Sequence, residues 1–273
     1  MEIEVLGPLS AEVNGVPVVP TASKPRQILA LLALYPGRVM PVGTLMEELW
    51  GEAPPASART TLQTYILQLR RRLGTAMGPG APGAAKDVLA TRYGGYLLQI
   101  PAEAVDVHQY EQLVAEGQQQ FEDGEDLEAA RCLRRALELW KGPALVDVAA
   151  GSILEIEVLR LEESRLVTRE RRIDADLRLG RHAELLAELA DLTARHPQHE
   201  GLHSQAMVAL YRSGRQAAAL DLYHRLRRRL VDELGVEPSP QLQRLHQAML
   251  AVDPQLDVLA GPRRGSTFDL YAA

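Results

Sequence analysis

Cysteine is almost missing from this chain. Its 273 residues hold one, Cys132, so no internal disulfide can form, and a reducing cytoplasm suits such a protein. Cys132 sits at helical spacing among the apolar residues of "LEAARCLRRALELW", which predicts a buried structural thiol rather than a nucleophile. Aromatic residues are scarce at 4 %, so a core drawn from the 46 % hydrophobic fraction must be mainly aliphatic. No apolar run reaches the about 18 residues of a membrane-spanning helix, and no membrane partner is expected. The start "MEIEVLGPLS" lacks the basic and then apolar pattern of a signal peptide. No Ser/His/Asp set is identifiable, and "GPGAPGAAK" (residues 78–86) lacks the Gly-Lys-Ser/Thr of a phosphate loop. The expectation is therefore no catalytic residue, no cofactor and no enzyme.

A second shortage is local. "ARTTLQTYILQLRRRLG", residues 58–74, has four arginines and no acid, in a chain of net charge −6. Residues 1–100 carry nine Lys/Arg against seven Asp/Glu, whereas the remainder carries 21 against 29. A mildly basic head on an acidic body predicts that the head meets an anion and the body something else.

Short strands open the chain. "IEVLG", "LSAEVNG" and "VPVVP" alternate apolar and polar residues, and Asn14-Gly15 marks a hairpin. Ser23 is placed to cap a helix with Pro25 in its first turn. That helix aligns Ile28, Leu31, Leu32 and Tyr35 on one face and stops at Pro36-Gly37. "RVMP" is a short extended link. "VGTLMEELWG" aligns Leu45, Met46, Leu49 and Trp50, and Ser57 can cap the basic helix. "TAMGPGAPGAAK" should then be a flexible loop, and "DVLATRYGGYLLQI" reads as strand, Gly94-Gly95 turn, strand. Sheet, three helices and hairpin, in that order, define a winged helix-turn-helix.

From residue 105 the chain reads as helical, over about 106–122, 126–140, 152–179, 182–195, 199–213, 215–234 and 239–250, with breaks at Gly124, Gly142, Gly180, Gly214 and Gly235. "LGRHAELLAELADL" and "SGRQAAALDLYHRL" align Gly180 on Gly214, Arg181 on Arg215 and Ala183 on Ala217. The 34-residue offset is the period of a tetratricopeptide helix pair, and "DGEDLEAARCLRRAL" is a weaker third copy. Such pairs stack around a shared core and offer a concave face to partners. Arg172 and Asp176, at i and i+4, are expected on a solvated helix face. Residues 251–273 have Pro, Gly and no periodicity, which predicts a flexible tail. The expected fold is mainly α. An N-terminal winged helix-turn-helix with small β-sheet and wing hairpin (residues 1–100) precedes an all-α tetratricopeptide-like helical repeat domain (101–250).

On a 100° wheel, Leu62, Ile66, Leu69 and Leu73 share one face of the basic helix, with Tyr65 at its edge. The opposite face carries Thr60, Thr64, Leu67, Gln68 and Arg71, flanked by Thr61, Gln63, Arg70 and Arg72, with Arg59 at the start. A merely solvated face in an acidic protein would mix Glu with Lys. Hydroxyls, amides and guanidinium groups suit phosphates and base edges. Leu67, odd on a wet face, can touch a thymine methyl or pack against the wing. Arg92, beside the glycine turn, is placed to enter a minor groove, against the plainer alternative of a solvated hairpin tip. Lys24 and Arg26, at the start of the first helix, can hold a phosphate.

The strand layer with "KPRQILALLAL", "VGTLMEELWG", "TTLQTYILQLRRRLG" and "TRYGGYLL" resembles the OmpR/PhoB-type winged helix. The segment from "HPQHEGLHSQAMVALYRSGRQ" to "QLQRLHQAML" resembles the bacterial transcriptional activation domain. Together, over about residues 2–250, they resemble the Streptomyces antibiotic regulatory protein family in its short form. That resemblance implies a cytoplasmic, nucleoid-associated activator of a secondary-metabolite gene cluster. Its partners would be double-stranded DNA bearing direct repeats, RNA polymerase with its principal sigma factor, and a second copy on the DNA. It makes 58–74 the recognition helix and 88–99 the wing. Larger relatives append an ATPase module, for which this chain is expected to leave no room. A helical-repeat signalling adaptor without specific DNA binding is the rival reading.

"HEGLH", His199 to His203, matches the zinc-protease pattern H-E-x-x-H. A catalytic zinc needs a third protein ligand and a cleft. His196 is near, but Pro197 intervenes, and Gly201 weakens the helix the motif requires. No metal site is expected; the stretch reads as an inter-repeat turn and helix start.

Overall fold

The computed structural model describes residues 1–78 and 84–256. Its contacts divide into two compact units, each built from two stretches of chain. One comprises Met1–Gln112 and Ala136–Arg165; the other comprises Leu113–Arg135 and the chain from Leu166 onward. The architecture is mainly helical, as expected, with small antiparallel sheets confined to the N-terminal part. The expected boundary at residue 100 does not coincide with this division.

In the first unit, β1 (Glu2–Glu4), β2 (Ser10–Val13) and β3 (Val16–Pro17) form an antiparallel sheet. Its β2–β3 turn is the predicted Asn14-Gly15, both with positive φ, 52° and 75°, as a type I′ hairpin requires. The helix α1 (Ser23–Leu34) is central. Leu29, Ala30 and Ala33 are buried as well as Ile28, Leu31 and Leu32, so every face is covered rather than the single predicted stripe. Ser23 is the first helical residue and not its cap. Ala22 takes the cap position and no side chain bonds there. A short strand β4 (Met40–Pro41) leads into α2 (Val42–Trp50), and α3 (Ala58–Met77) follows. Ser57 stands at the cap of α3, but its hydroxyl makes no capping bond. The helix runs three residues past the expected Gly74. Of the loop expected over 75–86, residues 79–83 lie outside the described residues; residues 75–77 belong to α3, Gly78 caps it, and residues 84–86 open α4 (Ala84–Val88). A second sheet, in the order β4-β6-β5, is completed by β5 (Leu89–Arg92) and β6 (Gly95–Leu98).

Two buried carboxylates, invisible as such in the sequence, organise this unit. Glu48 of α2 is 2 % exposed. It accepts N–H bonds from Gly151 (2.6 Å), Ile153 (3.0 Å) and Leu154 (3.0 Å), which satisfies the unpaired donors at the head of α7 (Ser152–Arg178). Asp106 begins α5 (Asp106–Glu122) and accepts from Val5 N (2.8 Å) and Leu6 N (3.0 Å) at the end of β1. The segment after α6 (Asp126–Glu138) adds backbone bonds to the same edge, from Lys141 N to Leu6 O (2.8 Å) and from Leu145 N to Val5 O (3.0 Å). These bonds draw residues 106–112 and 136–165 into the N-terminal unit.

The second unit stacks helices in the predicted repeat. The pairs are α8 (His182–Arg195) with α9 (Glu200–Arg212), and α10 (Gln216–Leu234) with α11 (Pro240–Leu250). They start 34 residues apart. The aligned sites build one and the same turn. Gly180 and Gly214 have φ of +80° and +75°, and the next residue's N–H reaches back five positions, Arg181 to Asp176 O and Arg215 to Leu210 O. The weak third copy repeats it, with Gly124 at +84° and Glu125 N bonded to Gln120 O. The core is aliphatic, with Leu185, Leu189, Leu202, Leu226, Leu230 and Leu242 all buried.

Three expectations are corrected in this unit. Arg172 and Asp176 are not on a solvated face, being 7 % and 2 % exposed. The Asp176 carboxylate is shared by Arg172 (3.1 Å), Arg134 (3.3 Å) and Arg181 (2.8 Å), a network whose members the linear sequence separates. Cys132 is half-buried rather than buried. The first six residues of the tail expected from residue 251 are not a tail. Residues 251–256 are folded, Leu256 is 2 % exposed in the core, and Arg212 Nε donates to its carbonyl at 2.8 Å. The rest of that tail lies outside the described residues.

Burial pushes the Asp106 carboxyl up to about 6, more than its backbone donors and their N–H dipoles lower it. Folded protein therefore binds a proton more tightly than unfolded chain, so this group's contribution to stability falls as pH rises from about 4 to 6. Against Asp106→Asn, the wild type should lose up to about 3 kcal/mol of relative stability between pH 4 and pH 7, at about 1.4 kcal/mol per pKa unit. Urea unfolding of both proteins at the two pH values measures it; a pH-independent difference would refute the assignment.

Candidate nucleic-acid interface

The helix α3 buries Leu62, Ile66, Leu69 and Leu73, each 3 % exposed or less, which are the four residues predicted for its inner face. Burying that stripe fixes what faces water. Arg59, Thr60, Gln63, Thr64, Gln68, Arg71 and Arg72 are exposed, and Thr61 and Arg70 are half-buried. Leu67 stands among them at 47 % exposure, so it is open rather than packed on the wing. No acidic residue occurs in the twenty residues of α3. Thr60 to Arg71 spans about 16 Å of helix axis. Among the described residues, neither Arg59 nor Arg71 has an anionic side-chain partner. The Thr64 hydroxyl donates to Thr60 O (3.1 Å), which leaves its lone pairs free to accept.

Arg70, Arg72, Lys24 and Arg26 each donate to a group of the protein itself. Arg70 Nε donates to Leu89 O (2.9 Å) and its Nη2 to Thr91 Oγ1 (2.8 Å), so the guanidinium fastens β5 to α3. Arg72 Nη1 donates to Val19 O at 3.4 Å. Lys24 Nζ donates to Leu49 O in the last turn of α2, where a cation suits the helix dipole. Arg26 pairs with Asp147. The two cations at the start of α1 are thus engaged within the unit.

The wing hairpin differs by one residue from its prediction. Arg92 pairs with Gly95, so the turn is Tyr93-Gly94. Gly94 has φ +82°, the conformation that the third position of a type II turn requires. Gly95 is needed for another reason: a Cβ there would lie 2.2 Å from Met40 O, because β4 packs against β6 at that point. The tip presents Arg92 and a fully exposed Tyr93. Tyr93 was not singled out from the sequence. An aromatic in a turn that a glycine pair shapes is the signal that could have found it.

The "HEGLH" stretch has no open ligand set. His199 caps α9, its Nδ1 accepting from Leu202 N (3.3 Å), and Glu200 accepts from Ser239 N (2.9 Å). His203 is 4 % exposed, and burial holds its imidazole below the ordinary range. Among the described residues, no group of three His, Cys, Asp or Glu is placed to hold a metal ion, and no helix is long and apolar enough to cross a membrane.

A winged helix carrying an acid-free exposed helix, followed by stacked helix pairs, defines a transcriptional regulator. Residues 17–98 match the family described as transcriptional regulatory protein, C terminal, and residues 105–250 match the bacterial transcriptional activator domain. The chain is 57 % identical to the regulatory protein DnrI of Streptomyces peucetius, over 94 % of both chains. It is 36 % identical to the transcriptional regulator RedD of Streptomyces coelicolor, covering 94 % of this chain and 73 % of that one. It is 42 % identical to the regulatory protein AfsR of the same organism, covering 25 % of that longer protein. Among solved structures, Mycobacterium tuberculosis EmbR, in complex with a low-affinity phosphopeptide, superimposes with a TM-score of 0.85. That match has 32 % identity and covers 94 % of this chain and 68 % of the other. The chain belongs to the Streptomyces antibiotic regulatory protein family. These relatives are named as regulators, none as an enzyme.

Because Arg70 ties the wing to the helix, Arg70→Ala should free the hairpin without removing an outward-facing charge. The expected result is faster amide exchange at Leu89 and Thr91, with a loss of about 1–2 kcal/mol in stability for two hydrogen bonds. Unchanged exchange at β5 would show that the strand is held by its ladder alone.

Proposed function

We propose that the protein binds DNA sequence-specifically and activates transcription of a secondary-metabolite gene cluster. In this reading α3 enters the major groove, with Thr60, Thr64, Gln68 and Arg71 toward base edges and Arg59, Thr61, Gln63 and Arg72 toward phosphates and flanking bases. Leu67 meets a thymine methyl, and Arg92 with Tyr93 approaches the adjacent minor groove. Arg70 positions the wing. The observation that carries this reading is the exposed face of α3, which bears hydroxyls, amides and, among the described residues, three guanidiniums without an anionic partner, and no acid.

The family implies the remainder of the proposal. Residues 1–100 form the DNA-binding domain and 101–250 the activation domain, acting in the cytoplasm at the nucleoid. Two copies bind direct repeats near a promoter. Half-sites about one helical turn apart would keep both on one face of the duplex, through head-to-tail contacts rather than a two-fold interface. The helical body contacts RNA polymerase and its principal sigma factor.

Genome-wide binding-site selection with the purified protein, followed by footprinting of the best site at fixed salt, tests it. A direct-repeat footprint is expected. Arg71→Ala should weaken binding about ten- to a hundredfold, the worth of one base-contacting arginine, and relax specificity at one position. Only weak, salt-sensitive binding that the substitution leaves unchanged would overturn the DNA reading in favour of a helical-repeat adaptor.

A further inference from the structure

The helix α10 carries "HRLRRRL", a second arginine cluster, in the acidic part of the chain. Two of these arginines are accounted for locally: Arg227 forks onto Glu237 (2.6 and 2.7 Å) and Arg229 pairs with Glu233 (3.4 Å). Arg225 and Arg228 are exposed and have no acidic partner among the described residues, and the same holds for Arg215 at the start of the helix. All three line a groove. The helix α9 packs against both α8 and α10, and the space between those two is open. One stretch, of about 340 Å³, is walled by Leu186, Leu189, Leu210, Leu222 and Arg215. It shares Ala190, Thr193, Leu222 and Arg225 with a second stretch of about 540 Å³ that ends at Arg228 and Arg229.

We infer that this groove docks an acidic amphipathic segment of another protein, apolar side chains on the leucine floor and carboxylates on Arg215, Arg225 and Arg228. The argument is complementarity of two kinds. Leu186 and Leu210 are only half-buried, which gives an apolar edge that a bare phosphate backbone would leave dry and unmatched. Thirteen positions separate Arg215 from Arg228, about 20 Å along the axis, so the cationic row matches a helix of about four turns. Asp221 interrupts the row and Asp232 follows its end, and both would repel a uniformly acidic chain, so spacing as well as charge is selected. The inference rests on the reading of the helical body as the protein-contacting part. It is independent of how α3 reads DNA.

Fluorescence anisotropy of the full chain tests it with three labelled peptides of about 14 residues. The first is helix-prone, with leucines at i and i+4 and flanking glutamates. The second replaces Glu by Lys, and the third replaces Leu by Ser. A duplex carrying the selected site is titrated in parallel. The acidic amphipathic peptide should bind with micromolar affinity and the other two at least about tenfold more weakly. Arg225→Glu/Arg228→Glu should weaken the first peptide by at least about tenfold, with circular dichroism and duplex affinity unchanged. Ala218→Trp, which fills the groove without altering charge, should do the same. Peptide binding that ignores charge, ignores the leucines or survives both variants overturns the inference. Loss of duplex affinity in the double variant would assign the arginines to DNA, and loss of self-association would assign them to a second copy; either overturns it. Peptide binding by a wild type that fails on the duplex would sink the DNA reading alone.

Discussion

The carboxylate of Glu48 is the contact on which the first unit turns. A helix of 27 residues begins at Ser152, and its first N–H groups have no partner within the helix. Glu48, more than a hundred residues earlier and almost without solvent, accepts from two of them, Ile153 and Leu154, and from Gly151 just before the helix. An unpaired buried carboxylate costs several kcal/mol, and so do orphaned helix donors, so neither side can be altered alone. Asp106 does comparable work for Val5 and Leu6. The winged helix is therefore built around residues that a linear reading assigns to the helical body.

Charge is handled differently where it faces water. In α3 the inner stripe is wholly apolar and the outer face carries cations without local anions. That arrangement is unfavourable in isolation and becomes favourable beside a polyanion. Arg70 shows that position on a helix does not by itself define a role. It belongs to the same "RRR" run as Arg71, yet its guanidinium is engaged by Leu89 and Thr91 and serves geometry. In the second unit the buried Asp176 carboxylate collects three guanidiniums, of which that of Arg172 is buried with it, so breaking that pair would leave a charge stranded.

Period, turn chemistry and composition were enough for much of the architecture. Leu62, Ile66, Leu69 and Leu73 recur at helical spacing, so the buried and exposed faces of α3 follow from the sequence. The 34-residue repeat follows from glycines that alone readily take positive φ, and the hairpin from Asn14-Gly15. The acid-free character of α3 is itself a sequence property, and the candidate interface was visible because of it. What the tertiary structure alone decided are pairings between distant residues. Which arginine points outward depends on where Leu89, Thr91 and Asp147 lie. Whether Arg172 and Asp176 are solvated depends on Arg134 and Arg181, and whether Glu48 is a surface acid depends on the head of α7. Sequence period records which side of an element is apolar; it carries no record of which remote polar group arrives to satisfy the other, because that is set by packing across long separations in the chain.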